Sequence, residues 1–334
     1  MKRLATVAPA VCVLSATGCG GWQSALDPQS RGAAEIANLW WIMFWTTGVL
    51  ATLVIAGLLF AVYRARRAAT ADAGGTVQDR ERRFIFLAGA AMPALLLVSF
   101  VALSVRTGAS VSEPAGDPGL RVEVTGHMFW WEIHYPGYGI TTANELHIPA
   151  GFPIEVRVTS ADVIHSFWVP QLAPGKVDMI PGRTNRIWIM ADEPGRYRGQ
   201  CTEFCGVQHA LMSLLVVASP EEEFQAWLAE RAVPEAGSDP LSLRGREIFG
   251  EAGCAACHGI RGVTVPEFSG SPGPDLTHLA GRETLGALTV ENSRENLTAW
   301  ILNPHHFKPG VRMPPTSLDG DDVSALVHYL ESLR

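Results

Sequence analysis

The chain has 334 residues and a formal net charge of −7. That length exceeds one ordinary domain, so two or three units are expected. The acidic balance and the lack of a basic stripe beyond one short loop exclude nucleic acid as a partner.

In chain order, Lys2 and Arg3 precede an apolar stretch that ends at Cys19. This pattern predicts an export segment over residues 1–19. The small residues before Cys19 are similar to a lipoprotein cleavage box, although Ala16 stands where an aliphatic residue is usual. Cys19 would then be a lipidated N-terminus.

Residues 20–106 read as a transmembrane hairpin. Leu39–Tyr63 runs 25 residues and Phe84–Val105 runs 22 without a charge, and roughly 20 apolar residues cross a hydrocarbon core. Arg64, Arg66, Arg67, Arg80, Arg82 and Arg83 lie between the spans, which puts that loop on the cytoplasmic side and both ends outside. Trp40, Trp41 and Trp45 suit an aromatic belt, and Pro93 predicts a kink in the second span. No charge lies within either span to mark an ion path, so the hairpin reads as an anchor that also packs against a partner.

Residues 118–232 read as short strands. Glu145–Pro149, Ile154–Thr159 and Arg186–Met190 alternate or are β-branched, with Pro/Gly turns between them, which predicts a sandwich or barrel. Ser219, Pro220 and Glu222 predict the start of a helix ending near Ala232, with Ser219 as its N-cap. Residues 233–240 form a Pro/Gly/Ser-rich linker. From Leu241 to residue 334 the period is helical: Leu297, Trp300 and Ile301 share one face, and Val323, Leu326, Val327 and Leu330 form a second stripe.

Two short motifs carry the chemistry. Cys201, Cys205, His209 and Met212 fall in one twelve-residue loop of the β domain, and His165 upstream can complete a ligand set. A disulfide or a zinc site is an alternative, but zinc has no use for the methionine. Copper uses all five side chains, and a second thiolate allows the two sulfurs to bridge a pair of copper ions. Such a centre suits electron transfer rather than chemistry on a substrate. Further on, Cys254-Ala-Ala-Cys257-His258 is a C-x-x-C-H site for covalent haem c, with His258 as proximal ligand. A redox-active C-x-x-C pair is the alternative. Met313, in Val311-Arg-Met-Pro-Pro315, is the expected distal ligand; His278, His305 and His306 are its rivals.

With these residues in hand, the chain resembles subunit II of haem–copper cytochrome c oxidases, fused to a class I cytochrome c as in caa3-type enzymes. The resemblance implies a cupredoxin-like Greek-key β-sandwich, then an all-α cytochrome c domain. It implies a binuclear CuA centre held by the side chains of His165, Cys201, Cys205, His209 and Met212 and the carbonyl of Glu203. The Glu203 carboxylate would face a magnesium ion shared with subunit I. The aromatic run Phe129, Trp130 and Trp131 matches the family's electron path, with Phe129 where relatives commonly have the tryptophan that receives electrons. Asp178 matches an acid that docks basic cytochromes, and Gly273-Pro-Asp-Leu276 is similar to a proximal haem loop. The implied partners are subunit I, with haem a and CuB, subunit III, and a cytochrome c or membrane complex as donor. The implied location is the bacterial plasma membrane, with the N-terminus and both redox domains outside. A CuA subunit of a related nitric oxide reductase and a copper-delivery protein are the alternatives.

Overall fold

The computed structural model describes residues 21–68, 79–112, 119–232, 236–264 and 273–334. The predicted export segment, with Cys12 and Cys19, lies outside them, as do residues 233–235 of the predicted linker. Two units are present: residues 34–113, and a second containing residues 114–334 and the N-terminal stretch.

The first unit is a pair of apolar helices. Helix α1 spans Arg31–Ala68. The second is continuous through α2 (Asp79–Phe86), a π-turn at Leu87–Ala91, and α3 (Met92–Val111). Both are long and apolar enough to cross a membrane, and none of either apolar window is buried within the protein. A π-turn lies just before Pro93, where a kink is expected. The proline lacks an amide proton and crowds the carbonyl four residues back, so the helical ladder widens there. Along α1, Trp40 meets Trp41 edge to face with centroids 4.6 Å apart, and Trp41 stacks on Trp45 at 6.2 Å.

The second unit begins with ten strands. They are β1 (Leu120–His127), β2 (Trp130–Tyr135), β3 (Ile140–Ala143), β4 (Glu145–Pro149), β5 (Ile154–Ser160), β6 (His165–Phe167), β7 (Val177–Met179), β8 (Asn185–Ile189), β9 (Gly195–Gln200) and β10 (Ser213–Ser219). They form one sheet in the order β3-β2-β1-β5-β8, a second in the order β4-β10-β9, and a β6-β7 hairpin. In β1, Leu120, Val122 and Val124 point inward while Arg121 and Glu123 point out, the period of a strand with one face on a core. Val156, Val158, Trp131, Ile133 and Leu214 complete the apolar filling between the sheets. The pairs β1/β5 and β4/β10 are parallel, so their strands are joined by crossovers rather than tight hairpins. Gln200 pairs with Ser213 across β9 and β10. Residues 201–212 are therefore a loop clamped at its base by the sheet.

Helix α4 (Glu221–Ala232) follows β10 directly. Ser219 does not cap it, contrary to the expectation. Its place in the ladder opposite Pro149 keeps it in β10, and the Pro220 carbonyl accepts the first helical bond from Phe224. Among the described residues the remaining region is helical, with a two-residue ladder and an isolated Ile260–Thr264 bridge. It comprises α5 (Pro240–Glu251), β11 (Thr284–Leu285), β12 (Val290–Glu291), α6 (Arg294–Leu302), α7 (Pro304–Phe307) and α8 (Gly320–Glu331). Asp239, Ser293 and Asp319 each accept a backbone amide at the start of α5, α6 and α8, which satisfies donors that a helix start leaves open. Helices α5 and α8 meet at Gly245, where a Cβ would lie 2.1 Å from the Ala325 carbonyl oxygen.

Candidate metal centre and haem-attachment loop

The folded chain brings the sulfur loop to His165. Cys201 Sγ lies 3.9 Å from Cys205 Sγ and 3.9 Å from His165 Nδ1. Cys205 Sγ lies 3.7 Å from His209 Nδ1 and 3.8 Å from Met212 Sδ. The Glu203 carbonyl oxygen is 3.2 Å from Cys201 Sγ. The arrangement has two sulfurs at the centre, with one histidine and one weaker donor on each side. Cys201, Cys205, Met212 and His165 are buried. No disulfide links the cysteines, and the soft, water-excluded donor set fits a pair of copper ions. The hydrogen bond between the two sulfurs lowers one thiol, that of Cys201, and raises the other, that of Cys205. A second thiolate therefore needs a cation beside it.

Two residues that position His165 were not apparent from sequence. Asp162 Oδ1 accepts from His165 Nε2 at 2.9 Å, which leaves Nδ1 facing the sulfurs. Burial pushes the Asp162 carboxyl up. Hydrogen bonds from His165 and from the amides of Met128 and Val163 outweigh that and hold it down to about 2. Gly126, at the end of β1, gives the ring its room: a Cβ there would lie 2.8 Å from His165 Cδ2.

The aromatic run flanks this cluster. Phe129, Trp130 and Trp131 are all buried. Trp131 lies 6.4 Å from the His165 ring, Trp130 stacks on His127 at 4.2 Å, and Phe129 lies against Gly206. The Glu203 carboxylate is exposed and pairs with Lys176, which also pairs with Asp178.

In the helical region, Cys254 and Cys257 lie at either end of a single tight turn, and the His258 amide donates to the Cys254 carbonyl at 3.0 Å. His258 Nδ1–H donates to the Pro274 carbonyl at 2.8 Å, which leaves Nε2 for a ligand role. A Cβ at Gly273 would lie 2.5 Å from His258 Cε1, so the Gly273-Pro274 stretch fits closely around the imidazole. These residues fit an attached haem with His258 as its axial ligand. Met313 is half-buried in the turn before α8. The rival histidines are engaged elsewhere: His278 Nε2 with Arg261 at 3.3 Å, His305 Nδ1 with the Gly310 amide, and His306 against the Phe307 ring.

Fold and donor sets together define a class: a cupredoxin-like domain behind an apolar helical hairpin, joined to a helical region with a haem-attachment motif. Residues 139–219 match the family Cytochrome C oxidase subunit II, periplasmic domain, and residues 242–334 match the family Cytochrome c. The chain is 34% identical to cytochrome c oxidase subunit 2 of Alkalihalophilus pseudofirmus over 328 residues, 95% of this chain and 93% of that one. It is 28% identical to the Bacillus subtilis subunit 2, over 97% of this chain and 96% of that one. Among solved structures, the periplasmic domain of subunit II of cytochrome oxidase from Bradyrhizobium japonicum is 31% identical, covering 35% of this chain and 96% of that one at a TM-score of 0.34. The chain belongs to the cytochrome c oxidase subunit 2 family. It is therefore a component of a haem–copper oxidase, associated with subunit I, and the family carries copper and haem c.

Proposed function

We propose that this chain is the electron-input subunit of a terminal respiratory oxidase, with both of its redox domains on the outer face of a bacterial plasma membrane. With both centres bound, haem c and binuclear copper supply two one-electron carriers in series between a cytochrome c-type donor and haem a of subunit I, where oxygen is reduced to water with proton pumping. The observation that carries this reading is the packing of the two motif-bearing regions in one unit. Gly310, three residues before Met313, is close enough to the sulfur loop that a Cβ on it would lie 2.9 Å from Val207 Cγ2.

The chain's residues then have distinct tasks. Cys201, Cys205, His165, His209, Met212 and the Glu203 carbonyl would hold the copper pair. Cys254 and Cys257 would tether the haem, and His258 and Met313 would be the ligands offered to its iron. A thioether on that iron raises its potential, and short linkage raises the effective donor concentration. Phe129 is buried, so its departure from tryptophan matters less if electrons arrive through the attached haem. Magnesium at Glu203 would require its carboxylate to leave Lys176. The boundaries we assign are 1–19 for export, 20–106 for the anchor, 118–232 for the copper domain, 233–240 for the linker and 241–334 for the haem domain. Cys19 is the candidate for lipidation, and subunit III is a further partner.

Deleting residues 241–334 tests the order of the carriers. Oxidation of an external cytochrome should slow far more than electron transfer from the copper domain into subunit I. Unchanged donor oxidation in the truncated oxidase would overturn the reading.

A further inference from the structure

The contact between the copper domain and the haem domain is built from charged side chains placed crosswise. Lys308 belongs to the haem domain, just after α7, yet it is only 2% exposed. Its Nζ donates to the carbonyl oxygens of Phe129 at 2.8 Å, Leu211 at 2.9 Å and Gly286 at 2.9 Å. An ammonium has three protons, and all three are used. No carboxylate pairs with it among the described residues, so the three carbonyl dipoles must offset its loss of water. Burial pushes this ammonium down to about 7.

Glu145 mirrors it from the other side. It belongs to β4 of the copper domain and is 1% exposed. Its carboxylate accepts from the amides of Glu283 at 2.9 Å and Thr284 at 2.9 Å, and from the Thr284 hydroxyl at 3.1 Å. Each domain thus buries one charge in the other's backbone. Backbone acceptors and donors of this kind are fixed in direction, so they specify one docked orientation. Two of the Lys308 acceptors have a bearing on function. Leu211 precedes the candidate ligand Met212, and Phe129 is the residue standing at the family's point of electron input.

We propose that Lys308 and Glu145 are positioning residues that clamp the haem domain over the Phe129–Leu211 patch, so that the attached haem rather than a free cytochrome faces the copper loop. This inference rests on the electron-input reading above. It goes further in assigning the geometry of that transfer to two side chains outside both ligand sets.

Lysine labelling of the intact oxidase tests the clamp without disturbing it. The chain has three lysines, Lys2, Lys176 and Lys308. Lys176 has a side chain 46% exposed and serves as internal reference. An amine-acylating reagent should modify Lys176 and spare Lys308. Glu145→Ala removes every acceptor for the Glu283 and Thr284 amides and the Thr284 hydroxyl. One lost buried hydrogen-bond set costs enough to raise Lys308 labelling about tenfold relative to Lys176. Equal labelling of Lys176 and Lys308 in the native oxidase, or an unchanged ratio in Glu145→Ala, would overturn the clamp.

Kinetics supply the second arm. Lys308→Met should slow flash-initiated electron transfer from haem to copper by about tenfold or more if the docked state is lost, while transfer from copper into subunit I and the haem potential stay unchanged. An assembled Lys308→Met oxidase with native haem-to-copper kinetics would also overturn it. Absence of haem-to-copper transfer in the native oxidase would instead remove the electron-input reading itself. If Lys308→Met does not assemble, the two labelling measurements still decide.

Discussion

His165 is held on both sides. Asp162 fixes one ring nitrogen, and Gly126 leaves the space the ring occupies. A metal ligand whose second nitrogen is tied to a carboxylate keeps one tautomer and one orientation, and loss of such a partner typically costs 10–100-fold in metal affinity. Asp162→Asn should therefore weaken copper binding by about 10–100-fold, measured by chelator competition with the visible spectrum as readout; an unchanged affinity would place the orienting role elsewhere. Gly126→Ala acts through space rather than charge. Its Cβ lies within contact distance of the ring, and overpacking of this kind costs about 1–3 kcal/mol. Copper content per chain should fall while the far-ultraviolet circular dichroism stays the same. The ligands themselves were readable in the sequence because four of them share one loop and their chemistry is rare elsewhere. Asp162 was not, because an acid three residues before a histidine is an ordinary sight on any surface turn.

At the level of elements, the β9–β10 loop and the α5–α8 crossing do the positioning. The Gln200–Ser213 pair closes the sulfur loop at its base, so the ligands hang from two paired strands instead of a free segment. Helices α5 and α8 approach so closely at Gly245 that a side chain there would strike the Ala325 carbonyl. Gly245→Val should force the helices apart and destabilise the haem domain by about 1–3 kcal/mol. Denaturant unfolding followed at the haem absorption band measures this, and an unmoved midpoint would show that the crossing can relax. Strand alternation and the helical stripes made the order of elements legible. The start of α4 departs from the local rule that puts Ser219 at a helix cap, because the long-range ladder with Pro149 holds it in the sheet. The π-turn before Pro93 was legible only as a disturbance, since a proline states that the ladder must yield but not in which form.

At the level of the whole molecule, domain docking was invisible to sequence reading. The partners of Lys308 lie 179, 97 and 22 residues away, and nothing local separates it from a solvated loop lysine. The same holds for His147 in β4, whose ring stacks on Trp227 of α4 at 4.3 Å. Burial, with the nearby Arg231 and Arg196 charges adding to it, lowers this imidazole from 6.5 to about 3. Above pH 6.5 the ring is neutral in both folded and unfolded chains, so it has no effect on stability. Below 6.5 the unfolded chain takes up a proton that the folded chain refuses, and stability is lost as pH falls toward 3. The slope from one such group approaches about 1.4 kcal/mol per pH unit. Urea unfolding of the protein between pH 7 and pH 5, followed by tryptophan fluorescence, should show this decline, and His147→Gln should flatten it. If the variant and the native chain lose stability with the same slope, His147 takes up its proton inside the folded domain and the stacked site is wetter than its burial implies.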